Sequence, residues 1–457
     1  MTLLPRLLTA SALLSLANAE TTPLQDWFTA SFTGETPTPP SQTLTLDQLE
    51  ESRSKIFQSY KKAALANDWD QKFIPPNTLE KPEDGRLQLK SGKYKIAEGL
   101  EMPYLSIQKG TKPPNGWPLA IAMHGGGGTG DKLPHPHAWP VNTREWNAQI
   151  KLSISLYPSN VIYFIPRMVD DNQGRWWKEF NYEAFQALIR HAILFWDVDP
   201  NRIYLMGISE GGYGTETLAA RYPEKFAAAN GLACGSGTSI HLENLRNLPF
   251  RTDVGENDTA FGRRPNAVKK HALLDQYRAE DPEGYTNHLE VHQGRGHGIN
   301  YKPGPAWMMD FTRNPQPEKI TYTLFQHDKS KNKGAYWLQA VNDLDKKIIY
   351  LEAETNPETN SIEIAAQATV KDETVQSADH QRPLADPGKL TAASGLKLRL
   401  WLHESLLDLS KPVEVIINGK TVTTFTPELN TSIMAESLLE FHDPESIYPS
   451  KVEVIVP

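Results

Sequence analysis

Cysteine is almost absent from this chain: Cys234 is the single one in 457 residues. One thiol closes no intramolecular disulfide, so no covalent staple holds the fold. Long apolar runs are missing as well. The stretch Leu7 to Leu16 falls short of the ~20 residues that cross a bilayer, and nothing later is longer, so no membrane span is expected. Basic excess is lacking too, with 47 Lys and Arg against 55 Asp and Glu. Sequence-independent nucleic-acid binding needs a basic face, so no nucleic-acid partner is expected. A charged share of 22% and a hydrophobic share of 39% exclude a disordered, collagen-like or coiled-coil chain. No internal repeat is evident, and no feature sets an oligomeric state.

The chain opens with Arg6, the apolar run Leu7–Leu16 and Ala17-Asn18-Ala19. A charge, an apolar segment and a small-x-small site in that order make a cleavable secretory signal. Residues 1–19 are therefore expected to be a leader, and the mature chain to be secreted or periplasmic. Export without cystines suits a bacterial periplasm or exterior.

Residues 20–90 read as a linker and a helix. Thr33 to Ser41 is rich in Thr and Pro. Thr45 with Gln48 forms a capping box, and Leu46, Leu49, Ile56, Phe57, Tyr60 and Ala64 then share one helical face. This helix is expected to pack on the main domain. Over residues 91–315, short apolar strands alternate with amphipathic helices: Pro118–Met123, Val161–Ile165, Ile203–Met206, Ala227–Leu232, Phe250–Val254 and Leu289–His292 read as strands. Such alternation predicts an α/β architecture, a doubly wound, mostly parallel sheet with ligands at the carboxyl ends of its strands. After Pro315-Gln316-Pro317 the texture becomes β-rich. Residues 316–457 are expected to form a smaller, mainly antiparallel β domain, with Asn418-Gly419 as a two-residue hairpin turn.

Gly207-Ile208-Ser209-Glu210-Gly211 matches G-x-S-x-G directly after a strand and before a helix, the setting of a nucleophile elbow. The turn lifts Ser209 Oγ out of the sheet, and its glycines let neighbouring backbone approach. Upstream, His124-Gly125-Gly126-Gly127-Gly128 follows another strand. Backbone N–H groups of Gly125 and Gly126, with that of Glu210, are candidate oxyanion donors, while His124 is expected mainly to orient the loop. A serine nucleophile needs a base, and the base needs a carboxylate. Asp258 lies just past the strand Phe250–Val254; its rival Asp253 lies inside that strand and would face packing. His297, flanked by Gly296 and Gly298, follows Leu289–His292 and is favoured over His271, His288 and His292. The order is Ser209, Asp258, His297.

Asp199 to Tyr204 running into Gly207-Ile208-Ser209-Glu210-Gly211-Gly212 resembles the α/β-hydrolases, and within them the secreted esterase group of polyhydroxybutyrate depolymerases, feruloyl esterases and acetylxylan esterases. Prolyl-oligopeptidase-type peptidases share the Ser-x-Gly-Gly ending. The resemblance covers roughly Ser91 to Pro315 and implies acyl transfer: Ser209 attacks an ester carbonyl, His297 moves the proton, and Asp258 fixes the imidazole. Two departures stand out: no disulfide is available, and too few residues precede the hydrolase region for a β-propeller. Trp176 and Trp177, in a polar loop after a strand, are candidate substrate-binding residues along with His124. Glu210 is a candidate for disfavouring anionic substrates. Cys234 reads as an inert buried residue, and neither a metal nor a cofactor is called for. A serine ester hydrolase acting on acetyl or feruloyl esters of polysaccharides is the leading expectation. A peptidase, and a non-catalytic glycan- or partner-binding pseudo-hydrolase, remain open.

Overall fold

A computed structural model describes residues 21–79, 88–236, 240–324, 333–344, 347–370 and 390–457; the expected leader lies outside them. The larger sheet has nine strands: β1 (Asn77–Thr78), β2 (Gly92–Ala97), β3 (Leu100–Lys109), β4 (Trp117–Met123), β5 (Val161–Pro166), β6 (Val198–Ile208), β7 (Ala228–Leu232), β8 (Phe250–Gly255) and β9 (Asn287–His292). Their order is β1-β3-β5-β4-β6-β7-β8-β9, with β2 beside β3. From β5 to β9 every pairing is parallel, whereas β3 runs antiparallel to β2 and β5.

Alternation along the central strands shows why both faces are covered. Leu119, Ile121 and Met123 of β4 enter one core with Ile162, Phe164, Ile203 and Leu205. Ala120, Ala122, Tyr163, Tyr204 and Met206 enter the other. Helices α4 (Glu179–Phe195), α5 (Glu210–Arg221) and α6 (Arg263–Glu280) cover the first face. Helices α3 (Pro140–Ser155) and α7 (Pro303–Met308) cover the second.

Two smaller sheets follow. One runs Lys319–Leu324, Lys347–Asn356, Ser361–Val370, Val413–Ile417, Lys420–Phe425, with Thr391–Ala392 beside Ser361–Val370. The other joins Gly334–Ala335, Leu338–Ala340, Lys397–Leu402 and Ser450–Ile455. All but one of their pairings are antiparallel; Ser361–Val370 and Val413–Ile417 run parallel. At the predicted hairpin, Asn418 and Gly419 both take positive φ, 49° and 74°, as a type I′ turn requires.

The N-terminal helices correct one expectation. Helices α1 (Pro23–Phe32) and α2 (Leu49–Ala66) contribute Trp27, Phe28, Ile56, Tyr60 and Ala63 mainly to the core of the smaller sheets, not to that of the main one. Gln48 does reach back to the Thr45 N–H at 3.0 Å, but Leu46 falls in a 3₁₀ turn before α2 and stays exposed. Backbone pairing of Leu44 with Leu429 and the Arg53–Glu404 ion pair tie this segment to the chain's end. A second pair, Arg313–Asp443, joins the two halves where both side chains are buried. Tyr322 Oη donates to the Arg221 carbonyl. That contact lies at the far end of α5 from Ser209, roughly 18 Å along the helix axis.

Histidines shielded from water set a pH dependence. Burial pushes His124 and His271 down to about 3, His191 to about 4, and His442 well below its ordinary value. In the unfolded chain each titrates near 6.5, so below that pH the unfolded state binds protons that the folded state refuses. Their contribution is complete above about 6.5 and is lost as pH falls, each by about 1.4 kcal/mol per unit once well below it. Calorimetric melts are expected to drop in Tm from pH 7.5 to pH 5; a rise would contradict this account.

Candidate active site

Strand β6 passes into α5 at Ser209, whose φ of 54° and ψ of −110° are foreign to an ordinary serine. Strain of that kind persists only where its surroundings enforce it. A Cβ on Gly207 would lie 2.2 Å from the Gly211 carbonyl oxygen, and one on Gly211 would lie 2.4 Å from that of Met123. Only glycine permits this packing, and the turn holds Ser209 at the head of α5. The first N–H groups of a helix have no carbonyl ahead of them to bond, and that of Glu210 is the first here.

His297 Nε2 stands 3.0 Å from Ser209 Oγ, and its Nδ1 stands 2.7 Å from Asp258 Oδ2. The carboxylate accepts from Nδ1–H, which leaves Nε2 to accept from the serine hydroxyl. Asp258 is buried, and Arg263 donates to its other oxygen at 2.9 Å. The loops carrying Asp258 and His297 hold each other. Asn257 N–H donates to Arg295 O and Glu256 N–H to His292 O, while Gly255 lies so close to Gly296 that no Cβ fits between them. Asp253 is spent otherwise, as its place in β8 implied: it accepts from Arg251, Asn230 and His292.

The glycine loop packs against this turn. A Cβ on Gly125 would sit 3.4 Å from Ser209 Cβ, and Gly126 takes a φ of 101°. Gly127 donates its N–H to Asn142 Oδ1, leaving Gly125 and Gly126 as the loop's candidate donors. Asn142 also bonds the Gly127 carbonyl and Asp171, which in turn pairs with Arg167. Nothing in residue type distinguishes Asn142 from a surface asparagine, and the sequence reading missed it.

Two candidates for substrate contact are corrected. His124 is wholly buried: Nδ1 faces the Gly125 carbonyl, and Nε2 accepts from Met168 N–H at 2.9 Å. Trp176 is equally buried, donating Nε1–H to His124 O and packing on Gly214 of α5. Both pack behind the loop and leave no exposed surface for a substrate to meet. Trp177 is half-buried and remains a candidate, with the Arg175 guanidinium 6.0 Å from its ring. Trp176→Ala is expected to cost about 3–5 kcal/mol of stability. Trp177→Ala should leave Tm nearly unchanged and raise KM. Equal Tm losses in the two variants would contradict this division.

Glu210 does not face solvent. It is buried and pairs with Arg175, which takes a φ of 71° and reaches past Gly127 to do so. Burial pushes its carboxyl up while Arg175 pulls it back. Cys234 is buried, its thiol donating to Glu216, which also binds Lys270. Among the described residues no three metal-binding side chains converge, and no helix is long and apolar enough to cross a membrane.

No protein-family model matches the sequence, and no curated protein matches it. Solved structures with partial likeness include a thermostable esterase, 22% identical, TM-score 0.36, covering 49% of this chain and 63% of that one. A poly(3-hydroxybutyrate) depolymerase from Bordetella parapertussis is 15% identical, TM-score 0.35, over 50% of this chain and 88% of that one. Dipeptidyl peptidase 4 of Porphyromonas gingivalis is 15% identical, TM-score 0.35, over 49% and 35%. None of these likenesses sets a substrate. The mostly parallel sheet, the strained turn at Ser209 after β6 and the loops beyond β8 and β9 that carry Asp258 and His297 agree with the doubly wound α/β architecture expected from the sequence.

Proposed function

We propose that this protein is an exported serine hydrolase that cleaves carboxylic esters. The observation that carries the reading is the 3.0 Å approach of His297 Nε2 to the hydroxyl of a serine held in a strained turn. In this mechanism Ser209 Oγ attacks the ester carbonyl as His297 takes its proton. The oxyanion is met by N–H groups of Glu210 and of Gly125 or Gly126, each such donor being worth ~2.7–4 kcal/mol. The imidazolium returns its proton to the leaving alcohol, and Asp258 stabilises it throughout. Water then attacks the acyl-serine by the same route and releases the acid.

Residues 1–19 support export, and acetyl or feruloyl esters of polysaccharides are the substrates proposed. The test is turnover of p-nitrophenyl acetate, methyl ferulate and a dipeptide anilide by wild type and Ser209→Ala. Ester turnover lost in the variant is expected; amide turnover exceeding ester turnover would favour a peptidase.

A further inference from the structure

Glu145 is a carboxylate beside the nucleophile for which the proposed mechanism has no use. It lies on α3, and its Oε2 comes within 3.5 Å of the point that a Cβ on Gly125 would take; Ser209 Cβ is 3.4 Å from the same point. The side chain is one-third exposed, and its one ion pair is the 3.3 Å contact of Oε1 with the exposed Arg144 next to it. No described residue donates to Oε2.

A fixed negative charge here opposes the reaction proposed above. The transition state places negative charge on the substrate oxygen at Gly125 and Gly126, and a carboxylate a few ångströms away, paired only with the exposed Arg144 among the described residues, raises its energy. A hydroxyl on the substrate would bond this carboxylate without cancelling its charge; a cation would cancel it. Glu210 is less suited to this part: its carboxylate is buried and Arg175 holds it at 2.8 Å, whereas Glu145 is one-third exposed and its Arg144 partner lies out in solvent.

Resting on the ester-hydrolase reading, we infer that Glu145 is a specificity-determining residue that binds an ammonium group of the substrate close to the scissile ester. Among the esters this site takes, those whose acid bears an amine are then preferred over neutral ones such as the acetyl and feruloyl esters named above. With the ammonium seated, the carboxylate is neutralised and the oxyanion forms unopposed; with a neutral ester it is not.

The test pairs β-alanine methyl ester with methyl butyrate, which replaces the ammonium by a methyl group. Wild type is expected to prefer the amine by about tenfold or more in kcat/KM at pH 7. Glu145→Gln should lose that preference by raising KM for the amine ester. It should also speed methyl butyrate about threefold to tenfold, since the opposing charge is gone. A structural role would lower both rates together, and that result overturns the inference, as does wild-type preference for methyl butyrate. Binding is measured separately by ligand-observed NMR in Ser209→Ala. Addition of Glu145→Gln should weaken β-alanine methyl ester at least fivefold, and unchanged or absent binding overturns the inference. Failure of the ester-hydrolase reading looks different: neither ester is turned over, whatever the binding.

Discussion

Ser209→Ala is expected to lower kcat for p-nitrophenyl acetate by about 10⁴- to 10⁶-fold while the protein melts where wild type does. The size follows from what the hydroxyl alone supplies. Without Oγ no acyl-enzyme forms, and His297 is left to activate water from a position built for serine. The oxyanion donors remain, which is why a residual rate above that of water persists. Stability should hold because Ser209 Oγ bonds only His297 among the described residues. Replacing the serine also leaves a φ of 54° at the turn, so a glycine variant is expected to be slightly more stable than the alanine one. A loss of less than tenfold would mean that another group carries the chemistry.

Asp258→Asn is the second large effect, about 10⁴-fold in kcat. The amide that replaces the carboxylate can donate to Nδ1, which moves the imidazole proton to Nε2 and leaves it unable to accept from the serine. Arg263 would also lose its charged partner. Asp253→Asn is the instructive control, because it alters a carboxylate only five residues away in the same strand–loop unit. It breaks a buried pair with Arg251 and a contact with His292, so its damage is expected in stability, about 3–5 kcal/mol. Steady-state kinetics and thermal melts on both variants separate the two aspartates. Rate loss confined to Asp253→Asn would reverse the assignment of the acid.

Much of this site was legible in the sequence because its chemistry demands unusual local residues. A serine between glycines at a strand end, an acid past the next strand but one and a histidine between glycines past the following one are local signals. Helix α3 was not legible, because its inward face is mixed: Asn142, Gln149 and Ser153 are buried there beside Trp146 and Ile150. Apolar periodicity cannot find such a helix. Helix α6 hides likewise, burying Arg263, Lys270 and His271. The partner of α2 was misjudged because an amphipathic face shows that burial occurs, not against what. Trp176 and Trp177 are adjacent and identical in type, yet one is wholly buried and the other partly exposed. Glu145, on α3, and Arg175 come near the nucleophile only where elements distant in sequence cross.

The central claim is that one hydroxyl, made nucleophilic by one imidazole, does the chemistry. Labelling with diisopropyl fluorophosphate, followed by peptide mapping, tests it most directly. The account predicts a single phosphoryl adduct on Ser209, slowed at least a hundredfold in His297→Ala, with ester turnover lost in step with its formation. An adduct on any other residue, or full inactivation without one on Ser209, would contradict it.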